Sequence, residues 1–501
     1  MRALLVTSAG VTCAMALTLP LATSATAAPA PDLHSASFRP PSTSPASPGA
    51  GPPAVRAGAA EPAGSTQSLP LAPLAASSDR VAGAPAAQGL PQRDARPFSL
   101  VGVVWDDPEA ELHGTVQVRT RTTGTTRWSE WQDVETHDAE HAADLGSAER
   151  EGRTVRGATA PLWVGDSDGV EVRVRPRSPE ASDHHEHAEP SDHHGSAQPQ
   201  DRAATPVPLP EGLRLELVDP GEDPAPEPAR SATTGRAAVT PAVFADTPPT
   251  AAVLPEALTA EVAAASAVNA ELAELGATAI PALTQKETLE SVNAAPGAKP
   301  YIGPRPKIIT RKGWGADEKL RERNFAYTKT VKAAFVHHSA TGNNYTCKQA
   351  PSVLRSIYRY HVKSSGWRDF GYNFAVDKCG NIYEGRAGGV SKAVLGAHTL
   401  GFNTNTMGIA VLGSYGSTNP PAAAVTAVSK LTAWKLGLFG ANPKGKVTLV
   451  SGGSNKYRAG VKVSMNVISG HRDGFATECP GARLYKKLGT ARTSSAKLQG
   501  R

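Results

Sequence analysis

Aromatic side chains are scarce. Phe, Trp and Tyr make up 5% of the 501 residues. A chain this poor in bulky apolar groups cannot bury a core along its whole length, so long stretches of it must bury little. Proline, 42 residues, clusters heavily in the first half and marks where those stretches fall. A basic stripe interleaved with aromatics is also missing. The net charge of +6 is scattered, which excludes nucleic-acid binding. It fits either weak attraction to an anionic surface such as a cell wall or a merely solubilising exterior.

Cysteine is the third scarcity, with four residues. The N-terminus accounts for one of them. Arg2 gives a small positive start, an apolar run follows from Ala3 to Leu21, and Ala25-Thr26-Ala27 is a small-residue cleavage site. This is the pattern of a signal peptide over 1–27. Ala/Pro/Ser coil follows the apolar run at once, which argues for secretion rather than a membrane-spanning anchor. Cleavage removes Cys13 and leaves Cys347, Cys379 and Cys479. An odd number of cysteines in an exported chain needs an explanation. One disulfide plus one metal-bound thiolate accounts for all three.

Residues 28–94 are Pro/Ala-rich and read as a disordered segment. From Phe98 short alternating strands appear: Phe98 to Trp105, Thr115 to Thr120, Pro161 to Val164, Val170 to Val174 and Leu213 to Val218. They predict a small all-β domain over 95–219, sandwich-like. Its tryptophans either pack in the core or stack on sugars. A His-rich insert at 178–205 carries Asp183 to His187 and Asp192 to His194. It reads as a flexible polar loop or a weak metal-binding tract. Residues 220–305 return to Pro/Ala-rich linker, with a helical stretch near 256–276. From Lys307 onward proline thins and aromatics become dense. The compact domain is therefore expected at 306–490, with a tail at 491–501.

The chemistry concentrates there. Lys332 to Ser339 reads as a buried strand ending in His337 and His338. Successive strand residues face opposite ways, so one histidine points into a site and the other away. Gly371 to Asp377, Lys378 to Asn381 and Ile382 to Glu384 form a hairpin signal, Met407 to Leu412 is a buried strand, and Pro421 to Leu438 is an amphipathic helix. His471 and Cys479 stand eight residues apart in a Gly/Pro-bounded loop. With one histidine of the 337/338 pair they make a His-His-Cys set. Three protein ligands leave one tetrahedral position for water, the pattern of catalytic Zn2+.

The domain also resembles the peptidoglycan recognition protein / type 2 N-acetylmuramoyl-L-alanine amidase family. The resemblance is carried by Lys312 to Asp317, Val336 to Ala340, Tyr360-His361, Gly366 to Phe374, Gly380 to Arg386, Gly396 to His398, Gly401 to Asn403, Thr406 to Ile409, Gly470 to Asp473 and Cys479 to Gly481. These segments occur in the family's order across most of 306–490. The β-rich region is similar to the module preceding this domain in actinobacterial exported amidases.

The resemblance implies an α/β catalytic domain with a central mixed sheet flanked by helices and zinc in a groove. It is preceded by the small all-β domain and long disordered linkers. The family's metal ligands match His337, His471 and Cys479, its catalytic tyrosine matches Tyr372, and Thr477 matches its Thr/Lys position two before the cysteine. His361, Trp367, Arg386, His398 and Asn403 fall along the substrate groove, with pairing to a carboxylate as the other reading of Arg386. Gly366-Trp367 resembles the variant associated with diaminopimelate-type stems. Some members carry a glutamate on the strand matching Met407 to Leu412, where this chain has Ala410. No general base is therefore named, and a zinc-activated water assisted by Tyr372 is expected to do the work. Cys347 at a helix start and Cys379 in a hairpin turn are expected to form the disulfide, although the common family arrangement has two close cysteines.

The implied activity is hydrolysis of the amide between N-acetylmuramic acid and L-alanine. Peptidoglycan is the partner, met by a secreted, cell-wall-associated monomer. The alternative is a recognition protein that binds peptidoglycan without cutting it. A third reading, with the β domain as the working part, lacks any cluster of catalytic side chains.

Overall fold

The computed structural model describes residues 64–74, 87–136, 141–147, 150–177, 207–223, 258–292 and 300–501. The expected signal peptide and His-rich insert lie outside the described residues. The first folded region is an eight-stranded antiparallel sheet. Its strands are β1 (Ser65–Pro70), β2 (Ala72–Pro73), β3 (Gln88–Trp105), β4 (Gly114–Thr122), β5 (Gln132–Val134), β6 (Gly157–Ala158), β7 (Leu162–Pro176) and β8 (Arg214–Asp219). The main order is β1-β8-β3-β7-β4-β5, with β2 and β6 also on β3. Register shifts interrupt the β3–β7 ladder between Leu90 and Leu100, and such bulges bend a strand. Val116 and Val118 of β4 share one buried cluster with Leu215 and Leu217 of β8. The cluster extends through β3 and β7, which lie between them, so one continuous sheet carries the core of the expected all-β domain.

Two alternations locate its tryptophans. In β4, Val116, Val118 and Thr120 face inward while Arg119 and Arg121 face out. Trp105 and Trp163 are core. Trp128 and Trp131 are half-buried, with the guanidinium groups of Arg119 and Arg173 over the Trp131 ring at 5.0 and 3.9 Å.

The segment expected to be disordered over 28–94 contributes to this sheet. Ser65–Pro70 pairs along its whole length with β8, and Leu69 and Leu71 pack on the core. Pro70 is tolerated because it ends an edge strand.

The second region holds a seven-stranded mixed sheet. Its strands are β9 (Ala279–Ile280), β10 (Ile308–Ile309), β11 (Ala333–His338), β12 (Phe374–Val376), β13 (Ile382–Glu384), β14 (Thr406–Val411) and, after the separate hairpin β15 (Lys446–Val450) and β16 (Lys462–Asn466), β17 (Ile468–Gly470). The order is β17-β11-β14-β12-β13-β10-β9. The β11, β14 and β17 strands are buried throughout, as parallel strands covered on both faces must be. The helices are α1 (Ala260–Ala267), α2 (Gln285–Ser291), α3 (Arg311–Trp314), α4 (Ala350–Arg359), α5 (Ala422–Leu438), α6 (His471–Gly474), α7 (Ala482–Tyr485) and α8 (Leu488–Gln499).

Three more sequence expectations change. Much of the 220–305 "linker" is structured. Thr259 and Thr284 cap α1 and α2, the latter in a reciprocal box with Glu287, and Ile280 pairs with Ile308. The α1 helix falls within the helical stretch expected near 256–276, while Pro/Ala composition concealed β9 and α2. The 491–501 tail lies mostly within α8, which buries Ala491, Ser495, Ala496 and Gln499 against the domain. Small residues allow that close approach without a strong apolar stripe. For the same reason α5 is buried on most sides rather than amphipathic, since α8 covers it opposite the sheet.

Cys347 and Cys379 form a disulfide, with Cα atoms 6.2 Å apart. It ties the start of α4 to the β12–β13 turn and is worth about 3 kcal/mol. The α4 helix packs Val353, Leu354, Ile357 and Tyr358 inward and continues into a π-turn at Tyr360–Ser364. One hydrophobic cluster joins these residues to Leu100, Val104, Ala158, Trp163 and Val218 of the β region. Gly102 is required at this contact, because a Cβ there would fall inside the Tyr360 phenol. The Tyr360 hydroxyl donates to the Thr159 carbonyl at 3.0 Å, and Ser364 donates to the buried Glu216 carboxylate at 2.8 Å. The two regions therefore share a core.

Candidate metal centre and groove

The β11 strand carries His337 and His338 to the end of the sheet, and alternation separates them. The His338 Nδ1 accepts from the Tyr415 amide at 3.3 Å, and its Nε2 lies 3.3 Å from Glu135 of the β region. With Nδ1 accepting, Nε2 bears the proton and donates to Glu135. His337 faces the other way. Its Nδ1 lies 3.8 Å from Cys479 Sγ and its Nε2 lies 3.5 Å from Thr399 Oγ1. Thr399 also meets His398 Nδ1 at 3.0 Å, so one buried hydroxyl orients both rings. Orienting partners of this kind fix the tautomer of a ligand histidine.

Adjacent to β11, β17 ends at Gly470 and delivers His471 at the start of α6. The chain then returns, and the Arg472 amide bonds to the Cys479 carbonyl at 3.0 Å. The Cys479 amide donates to Thr477 Oγ1 at 3.1 Å. This tight loop brings the cysteine back beside the histidine. The His337 and His471 rings are 4.6 Å apart.

A fourth residue joins them. His141, from the β5–β6 connection, lies 4.5 Å from the His471 ring and 5.2 Å from the His337 ring. The ligand atoms of His141, His337, His471 and Cys479 all lie within 4.8 Å of one another, and all four residues are buried. Tetrahedral zinc with nitrogen and sulfur ligands spaces its ligand atoms about 3.3–3.6 Å apart. The donor set and the spacing fit such an ion with small adjustment.

The electrostatics suit neutral imidazole ligands. Burial holds His337 and His361 well below the usual histidine range, reinforced for His337 by His471 and His141. Burial brings His398 down to about 3. Burial also pushes the Cys479 thiol up to about 11, opposed by a hydrogen bond with His141. A coordinating cation deprotonates such a thiol outright.

The remaining sequence-predicted residues divide. The Tyr372 ring stands 5.2 Å from His337 and 5.9 Å from His361. His361 stacks on Trp367 at 4.3 Å and accepts from the Gly371 amide. His398 packs against Gly408, where a Cβ would overlap its ring. The Asn403 Oδ1 accepts from the amides of His398 and Thr399. Arg386 is pinned instead by donation to the Phe370 and Leu395 carbonyls at 3.0 and 3.1 Å. It lies close enough to His361 and His398 to oppose their protonation.

Sequence reasoning missed His141 and Thr399. Thr399 adjoins His398, so its neighbourhood was a usable signal. His141 had none, because only the packing of the two regions brings it to the site.

A family model described as N-acetylmuramoyl-L-alanine amidase matches residues 327–482. One described as Rv3811 N-terminal galactose-binding domain-like matches 53–205. Peptidoglycan-recognition protein SC2 of Drosophila melanogaster is 31% identical over 185 residues, 36% of this chain and 85% of that protein. The chain belongs to the peptidoglycan-recognition protein family. The recognition-protein region is also 32% identical over 189 residues to the human N-acetylmuramoyl-L-alanine amidase, covering 37% of this chain and 28% of that protein. A solved structure of peptidoglycan recognition protein-LE in complex with tracheal cytotoxin matches at 29% identity. It covers 36% of this chain and 92% of that one, with a TM-score of 0.29. Among the described residues, no helix is long and apolar enough to cross a membrane.

Proposed function

We propose that this chain hydrolyses the amide bond between N-acetylmuramic acid and L-alanine in peptidoglycan, outside the cell, with zinc held by His337, His471 and Cys479. The observation that carries the reading is the convergence of His337, His471 and Cys479, all buried, with the Tyr372 ring 5.2 Å from His337. Zinc in such a site supplies a Lewis acid for the scissile carbonyl and lowers the pKa of water.

The chain's own residues do the rest. Tyr372 donates its hydroxyl proton toward the developing oxyanion. Thr477, whose hydroxyl oxygen accepts from the Cys479 amide, is the second side chain assigned to the oxyanion. Thr399 and His398 hold the His337 ring in register. Trp367 and His361 offer a stacked apolar wall for the stem peptide. Ala410, paired with His337 in the sheet, supplies no carboxylate, so proton transfer falls to the water and Tyr372.

The test measures new muramoyl-lactyl ends and L-alanine amino termini from purified peptidoglycan, with zinc, with chelator and with Cys479→Ala. Release should vanish with chelator and with the substitution, and Tyr372→Phe should fall ~100- to 1,000-fold. A Tyr372→Phe enzyme of normal turnover would remove the proposed oxyanion role.

One observation favours the second reading, recognition without cleavage. Ala410 pairs with His337 in the sheet and offers no carboxylate to act as a base. Tight retention on peptidoglycan with no new termini under any metal condition would establish it.

A further inference from the structure

The segment that buries the groove comes from the β region. It lies between β5 and β6, in residues 135–156. Within it, residues 137–140 and 148–149 are outside the described residues. The rest is anchored at several points on the groove. Asp144 Oδ1 accepts from the Gly401 amide at 2.7 Å and from Asn403 Nδ2 at 2.8 Å. Arg153 donates to the Trp367 carbonyl at 3.1 Å. The Arg156 amide donates to the Ser365 carbonyl at 3.2 Å. The Thr154 carbonyl occupies the space a Cβ on Gly366 would need, and Gly366 has a φ of +79°. These anchors place His141 in the ligand cluster.

We infer that His141 is a fourth metal ligand, supplied across the domain contact, and that the segment carrying it closes the metal centre and groove so that the full chain is latent. The inference deepens the amidase reading and rests on it for what is held latent. Three protein ligands leave an open position for catalysis, whereas four close the coordination sphere in the manner of structural zinc. His141 is placed as a ligand rather than as a base beside one. Its ligand atom belongs to the same mutually close set as Cys479 Sγ and the other two imidazoles, and its ring sits against His471 at 4.5 Å. The backbone anchors hold the segment over Asn403 and Trp367 at the same time, so the ligand and the cover move together. Beside this cover the surface keeps a cavity of about 320 Å³, walled by Leu145 and Arg150 of the segment and by Leu400 and Asn455 opposite. It gives the segment room to be displaced.

The experiment uses the full chain loaded with Co2+ in place of zinc, whose visible spectrum reports thiolate ligation and coordination number. Acetohydroxamate is the probe for an open position. The wild-type spectrum should be indifferent to it. His141→Ala should keep the thiolate band, change its d–d pattern, and bind acetohydroxamate at least tenfold more tightly. Asp144→Ala, which loosens the cover without touching a ligand, should respond in between and serves where His141→Ala does not fold. Release of peptidoglycan termini should rise at least tenfold in His141→Ala. A wild-type site as responsive as the variant, or an unchanged His141→Ala spectrum, would overturn the inference. So would a wild type that cleaves freely and loses activity on His141→Ala. A His141→Ala site that opens to acetohydroxamate but releases no termini would uphold the closure and defeat the amidase reading instead.

Discussion

The β region touches the recognition-protein domain in two places of opposite character. At one, Leu100, Val104 and Trp163 interlock with α4, and Gly102 lets the Tyr360 ring lie directly on the strand. At the other, Asp144, Arg153 and Arg156 reach polar groups along the groove, mostly main-chain amides and carbonyls. The first contact is large side chains in a jigsaw, which loses several kcal/mol if one piece is removed. The second is a row of hydrogen bonds, each worth about 0.5–1.5 kcal/mol net because water replaces them readily. The apolar contact fixes the domains, and the polar contact positions a cover that can lift.

Substitutions can break that contrast. Trp163→Ala should be the most damaging, costing about 3–5 kcal/mol in chemical denaturation, since it empties the centre of the shared cluster. Gly102→Ala should cost about 1–3 kcal/mol by driving a methyl into the Tyr360 ring. Arg153→Ala, in the polar contact, should cost no more than about 1 kcal/mol. An Arg153→Ala loss as large as that of Trp163→Ala would show that both contacts are structural.

The smallest expected effect is a pH dependence confined to the polar contact. Burial holds the Asp144 carboxyl above its ordinary value, against the donors on Gly401 and Asn403. A group with a raised folded-state pKa contributes stability that is complete below its unfolded value, about 3.8. That contribution is lost as pH rises through the folded value. Melting curves of wild type and Asp144→Asn should therefore shift in favour of wild type as the medium becomes acid. Curves that stay parallel would mean that Asp144 titrates normally and is more open to water than its burial indicates.

What could be read from the chain divides along the same line. The spacing of His471 and Cys479 in one tight loop points to a ligand pair, and the family resemblance chooses His337 over His338 and adds Tyr372. The Cys347–Cys379 bond was legible by elimination, once Cys479 was assigned to the metal. The α1 helix falls within the helical stretch expected near 256–276. In contrast, β1, β9 and α2 were hidden inside Pro/Ala-rich sequence. Their caps and edge pairings are single-residue features that composition averages away. His141 was the least legible. Its segment has no periodicity, and its position depends on the docking of the two regions.

The shared core also bears on how few bonds a closed site needs. An isolated imidazole in solution is a weak fourth ligand. Here the side chain is tethered at both ends to a wall that cannot drift away, because Tyr360 is seated over Gly102. A short tether of this kind presents its ligand at an effective concentration on the order of millimolar or above. Rebinding after each transient opening is then a local event rather than an encounter. One histidine held this way outcompetes any dilute small molecule, and a competitor must prise up the segment's other anchors as well.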